Sequence, residues 1–288
     1  MRLRFFSFLA LAAFLLSGPA ALSAEIVVLV PGFFNSFAPE YFSQDIISSF
    51  SKKGFKVYVT QGLDPVGTIE ANGFRLEKYL EKIEAQEGHR VSFNIVAHSA
   101  GGLYTLWVAN RQKFNIKNLY TISTPYLGLE FIQTWINDCF LFKSLTEFAY
   151  LDGLKQLTEK GVSDFLNSIR LHPATKVIAF GGFQDESFDL SDARNISAPL
   201  RITSHYITTK SDGIVAFKSA LGLGMLKTTA GTRALQYKVK DLIFHLEHWE
   251  QVLDSHTFLI LGIRNTSYIA EEQKRTYSQL ADMLLKNK

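Results

Sequence analysis

The sequence predicts an α/β fold in which a mostly parallel central sheet is covered by helices on both faces. Apolar runs of strand length, rich in β-branched residues, recur along the chain, and helical patterns lie between several of them. Strands that alternate with helices build parallel sheets through right-handed crossovers. The 288 residues are 47% hydrophobic and 20% charged, which is enough apolar material for one large core.

The predicted strands are short apolar runs of the kind that fills a strand buried on both faces. They cover residues 25–30, 55–60, 91–98, 116–124, 175–182 and 200–209. The segment 70–86 reads as an amphipathic helix, because its apolar residues recur at helical spacing. These residues are Leu76, Tyr79, Leu80 and Ile83. A second helix is expected to follow Gly102.

The first 24 residues have the layout of a secretory signal peptide. Arg2 and Arg4 precede an apolar run from Phe5 to Leu16, and small residues follow up to Ala24. We therefore expect cleavage near Ala24, export to the periplasm or out of the cell, and one catalytic domain over residues 25–288. A retained membrane anchor is the alternative.

Charge and cysteine content narrow the classes of function. Without the two arginines of the signal segment, 28 basic residues face 27 acidic ones. Such a balanced chain lacks the basic face that nucleic-acid binding needs, so no nucleic-acid partner is expected. Cys139 is the only cysteine, so an internal disulfide is excluded.

The stretch AHSAGG places Ser99 between the predicted strand 91–96 and the helix that follows Gly102. A serine on such a sharp turn, with small residues two positions away on each side, projects its hydroxyl toward a substrate. Ligands of parallel sheets bind beyond the carboxyl ends of the strands. We therefore expect Gly32, Ser99 and Thr124 to gather at that edge, with His98 supporting the turn.

A serine nucleophile needs a histidine base and a carboxylate that orients it, in the chain order serine, acid, histidine. Asp212 is the best acid, because it lies in a turn that ends at Gly213, downstream of an apolar run. Three later histidines are candidates for the base. A strand-like segment before His248 favours that residue, while His245 and His256 remain open.

Backbone N–H groups must stabilise the negative oxygen that forms when serine attacks a carbonyl. One is expected from Ala100, the residue after the nucleophile. The other is expected from Phe33, in the loop after the first strand, where Phe33 and Phe34 also give the site an apolar mouth.

Together these residues resemble the α/β-hydrolase lipases, and within them the secreted bacterial triacylglycerol lipases. LVPGFF resembles their oxyanion segment, AHSAGGL their nucleophile elbow, SDGIV their acid turn, and HLEHWEQVL the segment that holds their histidine. The match extends over most of the chain after residue 24. It implies the α/β-hydrolase fold and hydrolysis of acylglycerol or other lipid esters.

The resemblance leaves the base and the metal open. Aligned without gaps, HLEHWEQVL puts the base at His245, with Glu247 and Gln251 matching positions that help to form the family's calcium site. Aligned by the acidic residue before the family histidine, it favours His248. Pro31 replaces the usual histidine before the oxyanion glycine, so the hydrogen bonds behind that loop must differ. No cofactor is required for the chemistry, and Ala198 stands where a calcium-binding aspartate is expected.

Residues 131–169 are dense in large apolar side chains. In the family such an insertion holds a helical lid that opens at a lipid–water interface, although the same residues can equally form core. We expect a lipid or other ester as the substrate, and a folding helper as in some relatives. A carboxylesterase, phospholipase or thioesterase with the same residues, or a hydrolase-like binding protein without turnover, are the alternatives.

Overall fold

The computed structural model describes residues 25–35, 40–132, 151–183, 210–222, 225–234, 236–237, 243–254 and 266–286, together with Leu200, Thr203 and Ile207. The predicted signal segment, Cys139, Ala198, His256 and the middle of the predicted lid lie outside these residues. Among the described residues, no helix is long and apolar enough to cross a membrane.

The main sheet contains six strands of the described chain, in the order β2-β1-β3-β4-β5-β8, and every neighbouring pair is parallel. The bounds are β1 Ile26–Val30, β2 Lys56–Val59, β3 Ser92–His98, β4 Asn115–Ile122, β5 Lys176–Phe180 and β8 Gln236–Tyr237. A separate antiparallel hairpin joins β6 Met225–Thr228 to β7 Gly231–Ala234. The predicted parallel sheet is thus confirmed.

Helices cover both faces of this sheet, as the sequence predicts. They are α1 Gln44–Ser51, α2 Ile69–Glu87, α3 Gly101–Asn110, α4 Leu151–Gln156, α5 Glu159–Ser168, α6 Phe217–Ala220 and α7 Thr266–Lys286. Ser43 and Thr68 accept hydrogen bonds from the first-turn N–H groups of α1 and α2, which explains where these two helices begin. The amphipathic helix predicted over 70–86 is therefore α2.

The buried side chains of the strands alternate between two apolar cores. In β1, Val28 and Val30 pack with α2 and α3, whereas Val27 and Leu29 pack with α1 and α7. Side chains of successive strand residues point to opposite faces, so a strand between two helical layers must be apolar throughout. This requirement explains why the strands appear in the sequence as continuous apolar runs.

The strand predicted over 200–209 is wrong where the structure describes it, because Leu200 and Thr203 are helical. Both side chains are buried. A short apolar run that is buried on all sides has the same composition in a strand and in a helix, so periodicity could not distinguish them. The strand beside β5 is instead β8, and Phe244 adds one further parallel bridge to Gly182.

The two ends of the predicted lid region belong to the core. Val162 and Phe165 of α5 are buried in the core that also contains α2 and α3, as are Phe131 and Ile132. Residues 133–150 lie outside the described part of the chain, so the lid itself stays a prediction.

Candidate active site

The register of the sheet brings the carboxyl ends of four strands to one edge. Val30 pairs with Ala97, and His98 pairs with Ile122. Ile122 in turn pairs with Phe180. The loops that follow these strands therefore begin side by side, as expected for a ligand site in a parallel sheet.

Ser99 lies on a strained turn directly after β3. Its φ is +54°, a left-handed conformation that non-glycine residues rarely adopt. The surrounding structure holds it there: the Ser99 N–H donates to the carbonyl of Ile122 at 2.8 Å, and the Thr124 hydroxyl donates to the Ser99 carbonyl at 2.8 Å. The predicted sharp turn is present, and Ser99 remains 8% exposed.

The loop after β1 packs directly against this turn. A Cβ atom on Gly32 would lie 2.6 Å from Ser99 Cβ and 3.1 Å from the Ala100 nitrogen, so only glycine fits there. The N–H of Phe34 is already used, since it donates to the Pro65 carbonyl at 2.7 Å. Within the described chain, the N–H groups of Phe33 and Ala100 meet no backbone acceptor. These are the two donors that the sequence predicts for an oxyanion.

Asp212 is buried in the loop before α6, and its carboxylate is fixed by backbone donors. Its Oδ1 accepts from the N–H of Ile214 at 3.1 Å and of Val215 at 2.8 Å. Burial raises the pKa of Asp212, but the nearby His248 and the hydrogen bonds from His248 and Val215 outweigh it and leave the pKa below its ordinary value. The carboxylate therefore stays ionised at neutral pH.

His248 is the histidine that meets this acid. Its Nδ1 lies 2.8 Å from Asp212 Oδ2, and its backbone N–H donates to the Asp212 carbonyl at 2.9 Å. Its ring centre is 4.5 Å from that of His98, the residue before Ser99. His245 is exposed, with its ring centre 5.7 Å from that of Phe183. The two alignments of this segment thus differ in the structure: His248 contacts the acid, whereas the ring contact of His245 is with Phe183.

Ser99 Oγ and His248 Nε2 are not hydrogen-bonded to each other among the described contacts. Catalytic hydrogen bonds are often long in unliganded enzymes and tighten when substrate binds. The ring centre of His98, the residue directly before Ser99, lies 4.5 Å from that of His248, so the Ser99 turn and the His248 loop are neighbours at this edge of the sheet.

Gln251 supports the acid from behind. Its Nε2 donates to Asp212 Oδ2 at 3.1 Å, and its Oε1 accepts from the Ser123 hydroxyl at 2.8 Å. The C-terminal helix α7 holds the same turn, because Tyr277 donates to the Gln251 carbonyl and Gln273 donates to the carbonyl of Glu250. Sequence reasoning missed Ser123, Gln273 and Tyr277, which carry no local signal of such a role.

Calcium binding at Glu247 and Gln251, which the resemblance implies, stays a prediction. Both ends of the Gln251 amide are hydrogen-bonded, since its nitrogen donates to Asp212 and its oxygen accepts from Ser123. Glu247 is fully buried. No group of three or more histidine, cysteine, aspartate or glutamate side chains could hold a metal in the part of the chain that the structure describes.

No family model and no curated protein matches this sequence. The structure is similar to that of Staphylococcus hyicus lipase, with a TM-score of 0.67 and 14% identity over 91% of this chain and 96% of that one. The chain has the α/β-hydrolase fold. A metagenomic carboxyl esterase shares this hydrolase fold, with a TM-score of 0.66 and 15% identity over 91% of this chain and 77% of that one.

A third structure with the hydrolase fold is the phospholipase PlaB from Legionella pneumophila. Its TM-score is 0.53 and its identity 14%, over 92% of this chain and 62% of that one. At these identities the likeness establishes the fold. The chemistry has to be argued from the residues at the carboxyl edge of the sheet.

Proposed function

We propose that this protein is a serine hydrolase that cleaves carboxylic esters, with Ser99 as nucleophile, His248 as general base and Asp212 as the residue that orients the base. The observation that carries the proposal is the buried His248–Asp212 pair, with Nδ1 and Oδ2 2.8 Å apart, at the sheet edge where Ser99 adopts its strained turn. The names of the similar structures, a lipase, a carboxyl esterase and a phospholipase, support the same class of reaction.

The reaction follows from this arrangement. As Ser99 Oγ attacks the ester carbonyl carbon, His248 Nε2 takes the hydroxyl proton, and Asp212 stabilises the resulting imidazolium. The carbonyl oxygen becomes negative and accepts hydrogen bonds from the N–H groups of Phe33 and Ala100. Collapse breaks the bond to the alcohol oxygen, which leaves with the proton from His248, and Ser99 remains acylated.

The second half of the cycle uses the same groups. His248 takes a proton from water, whose oxygen attacks the acyl carbon, and the Phe33 and Ala100 N–H groups again receive the negative oxygen. Collapse releases the carboxylic acid and returns the proton to Ser99 Oγ. No metal or organic cofactor enters either half, because both proton transfers pass through His248.

We further propose that the ester is an acylglycerol or another lipid ester. Phe34 is 38% exposed beside the oxyanion loop, and Leu127 is 40% exposed in the loop after β4. Both follow strands that end at the site, so their apolar surfaces favour an acyl chain over a small polar acid. Action at a lipid–water interface, export after signal cleavage and the need for a folding helper are expectations that go with this substrate.

Substitutions of Ser99 and of the two histidines test the assignment. Ser99→Ala and His248→Ala are each expected to lower turnover of a soluble nitrophenyl ester by at least about 10³-fold. His245→Ala is the matched control, since it removes the same ring three residues away and should keep turnover within about threefold. Full turnover in folded Ser99→Ala would contradict the assignment. So would a loss of turnover in His245→Ala together with unchanged turnover in His248→Ala.

A series of esters tests the substrate class. If the protein acts on lipids, its rate should rise with acyl length and rise again when the ester forms an emulsion. A carboxylesterase would instead prefer short, dissolved esters. Measuring both series at equal total ester concentration separates the two activities.

A further inference from the structure

The hydroxyl of Tyr41 connects the loop after β1 to the turn that carries Ser99. Gly32 N–H donates to Tyr41 Oη at 3.1 Å, and Tyr41 Oη lies 2.9 Å from His98 Nδ1. Tyr41 is 7% exposed and His98 is fully buried. One side chain therefore contacts both the residue before Phe33 and the residue before Ser99.

The Tyr41 hydroxyl can donate its proton to His98 while its oxygen accepts from Gly32, and we assign this direction to the two hydrogen bonds. The tyrosine oxygen accepts from Gly32, so its single proton is available for His98 Nδ1. Burial raises the pKa of Tyr41, which keeps that proton in place. Burial also lowers the pKa of His98 well below its ordinary value, and the adjacent His248 lowers it further. His98 is thus neutral, and the assigned direction makes Nδ1 the acceptor and places the proton on Nε2, which is buried and has no hydrogen-bond partner among the described residues.

We propose that Tyr41 is a positioning residue for ester hydrolysis: it holds the Phe33 N–H in register with the Ala100 N–H by tying Gly32 to His98. This inference rests on the proposed function of Ser99. Gly32 directly precedes Phe33, and His98 is two residues before Ala100, so the Tyr41 hydroxyl fixes both donors from a single point. Pro31 has no N–H of its own, so this bond holds the loop together with those from Phe34 N–H to Pro65 and from Asn35 Nδ2 to the Gly32 carbonyl.

The same hydroxyl keeps a neutral ring beside the base. The ring centres of His98 and His248 are 4.5 Å apart. A positive charge on His98 would oppose the protonation of His248 that the reaction requires. By donating to Nδ1, Tyr41 stabilises the uncharged form of His98 and so preserves the basicity of its neighbour.

Replacement of Tyr41 by phenylalanine tests the role, because it removes only the hydroxyl. Tyr41→Phe is expected to lower kcat about 10- to 100-fold, since a displaced donor weakens transition-state stabilisation, while KM stays within about twofold. Tyr79→Phe is the matched control: its hydroxyl donates to the Val59 carbonyl at 2.8 Å, in a different part of the fold. That variant should keep the wild-type kcat.

Unchanged kcat in folded Tyr41→Phe, or an equal loss in Tyr79→Phe, would overturn the proposal. Nitrogen-15 NMR of labelled histidines in the wild-type protein gives a second measurement that needs no folded variant and no turnover. His98 should appear as a neutral ring, and a ring protonated on both nitrogens at neutral pH would overturn the proposal as well. An inactive wild-type protein with the expected His98 signal would count against the ester hydrolase function alone.

Discussion

Substitution of Gly32 by alanine offers a sharp test of how the oxyanion loop is built. The added Cβ would lie 2.6 Å from Ser99 Cβ and 2.9 Å from the His98 carbonyl oxygen. Carbon atoms in contact are normally about 3.5–4.0 Å apart, so the loop and the turn must separate by about 1 Å. Neither obstructing atom can rotate away, because one is a Cβ and the other belongs to the backbone.

The magnitude follows from that displacement. Moving an oxyanion donor by about 1 Å can cost about 100-fold in rate, which corresponds to roughly 2.7 kcal/mol of transition-state stabilisation. We therefore expect Gly32→Ala to lower kcat on a soluble ester about 100-fold. The assay pairs steady-state kinetics with circular dichroism and thermal unfolding, which show whether the variant still folds.

Gly73→Ala provides a control with a comparable clash. A Cβ there would lie 2.5 Å from the Trp107 ring, in the contact between α2 and α3. Trp107 follows Ser99 by eight residues, which corresponds to about 12 Å along the axis of a helix. The clash at Gly73 therefore lies away from the serine turn. Gly73→Ala should cost about 1–3 kcal/mol of stability and leave kcat unchanged. If Gly32→Ala also keeps kcat while losing only stability, the account of the loop is wrong.

Four further predictions concern the acid, its neighbour Gln251 and a distant charge cluster. Asp212→Asn should lower kcat by about 10³-fold or more, because the imidazolium loses its charged partner. The depressed pKa of Asp212 stabilises the folded protein at pH values above the unfolded pKa of about 3.9. This contribution disappears as the pH falls through the lower pKa that Asp212 has in the folded state. The wild-type protein should therefore unfold at a higher temperature than Asp212→Asn at about pH 7, and the difference should shrink toward about pH 3. Gln251→Ala should cost about 1–3 kcal/mol in urea unfolding, since it leaves the buried Ser123 hydroxyl without its acceptor. Glu77→Gln replaces a carboxylate that binds Arg111 at 2.6 Å and Lys113 at 3.1 Å. Both cations are about half exposed, so we expect a loss of about 1 kcal/mol in urea unfolding and an unchanged kcat. A loss of kcat in this variant would contradict the separation of these charges from the site.

Much of the scaffold was readable from the sequence, because its causes are local. The apolar runs of β1 and β3 predict strands buried on both faces, and the small residues around Ser99 predict the turn that the structure shows at φ +54°. The segment from Leu200 was misread, because composition alone does not separate a buried helix from a buried strand.

The contact that favours His248 over His245 as the base is visible only in the tertiary structure. Both lie in one short segment, and the contact that distinguishes them joins His248 to a carboxylate 36 residues earlier in the chain. No periodicity or local propensity encodes such a pairing, since it depends on where two loops meet after the sheet has formed.

The role of Tyr41 also depends on a contact between distant segments that the sequence does not reveal. Its hydroxyl is hydrogen-bonded to His98, which lies 57 residues later in the sequence. No neighbouring residue in the sequence distinguishes Tyr41 from an ordinary core tyrosine. The sequence alone determined β1 to β5, the strained serine turn and the turn that holds Asp212, because burial and turn geometry act over a few residues. The partners of those groups were decided by packing, because hydrogen bonds between distant segments exist only once the chain has folded.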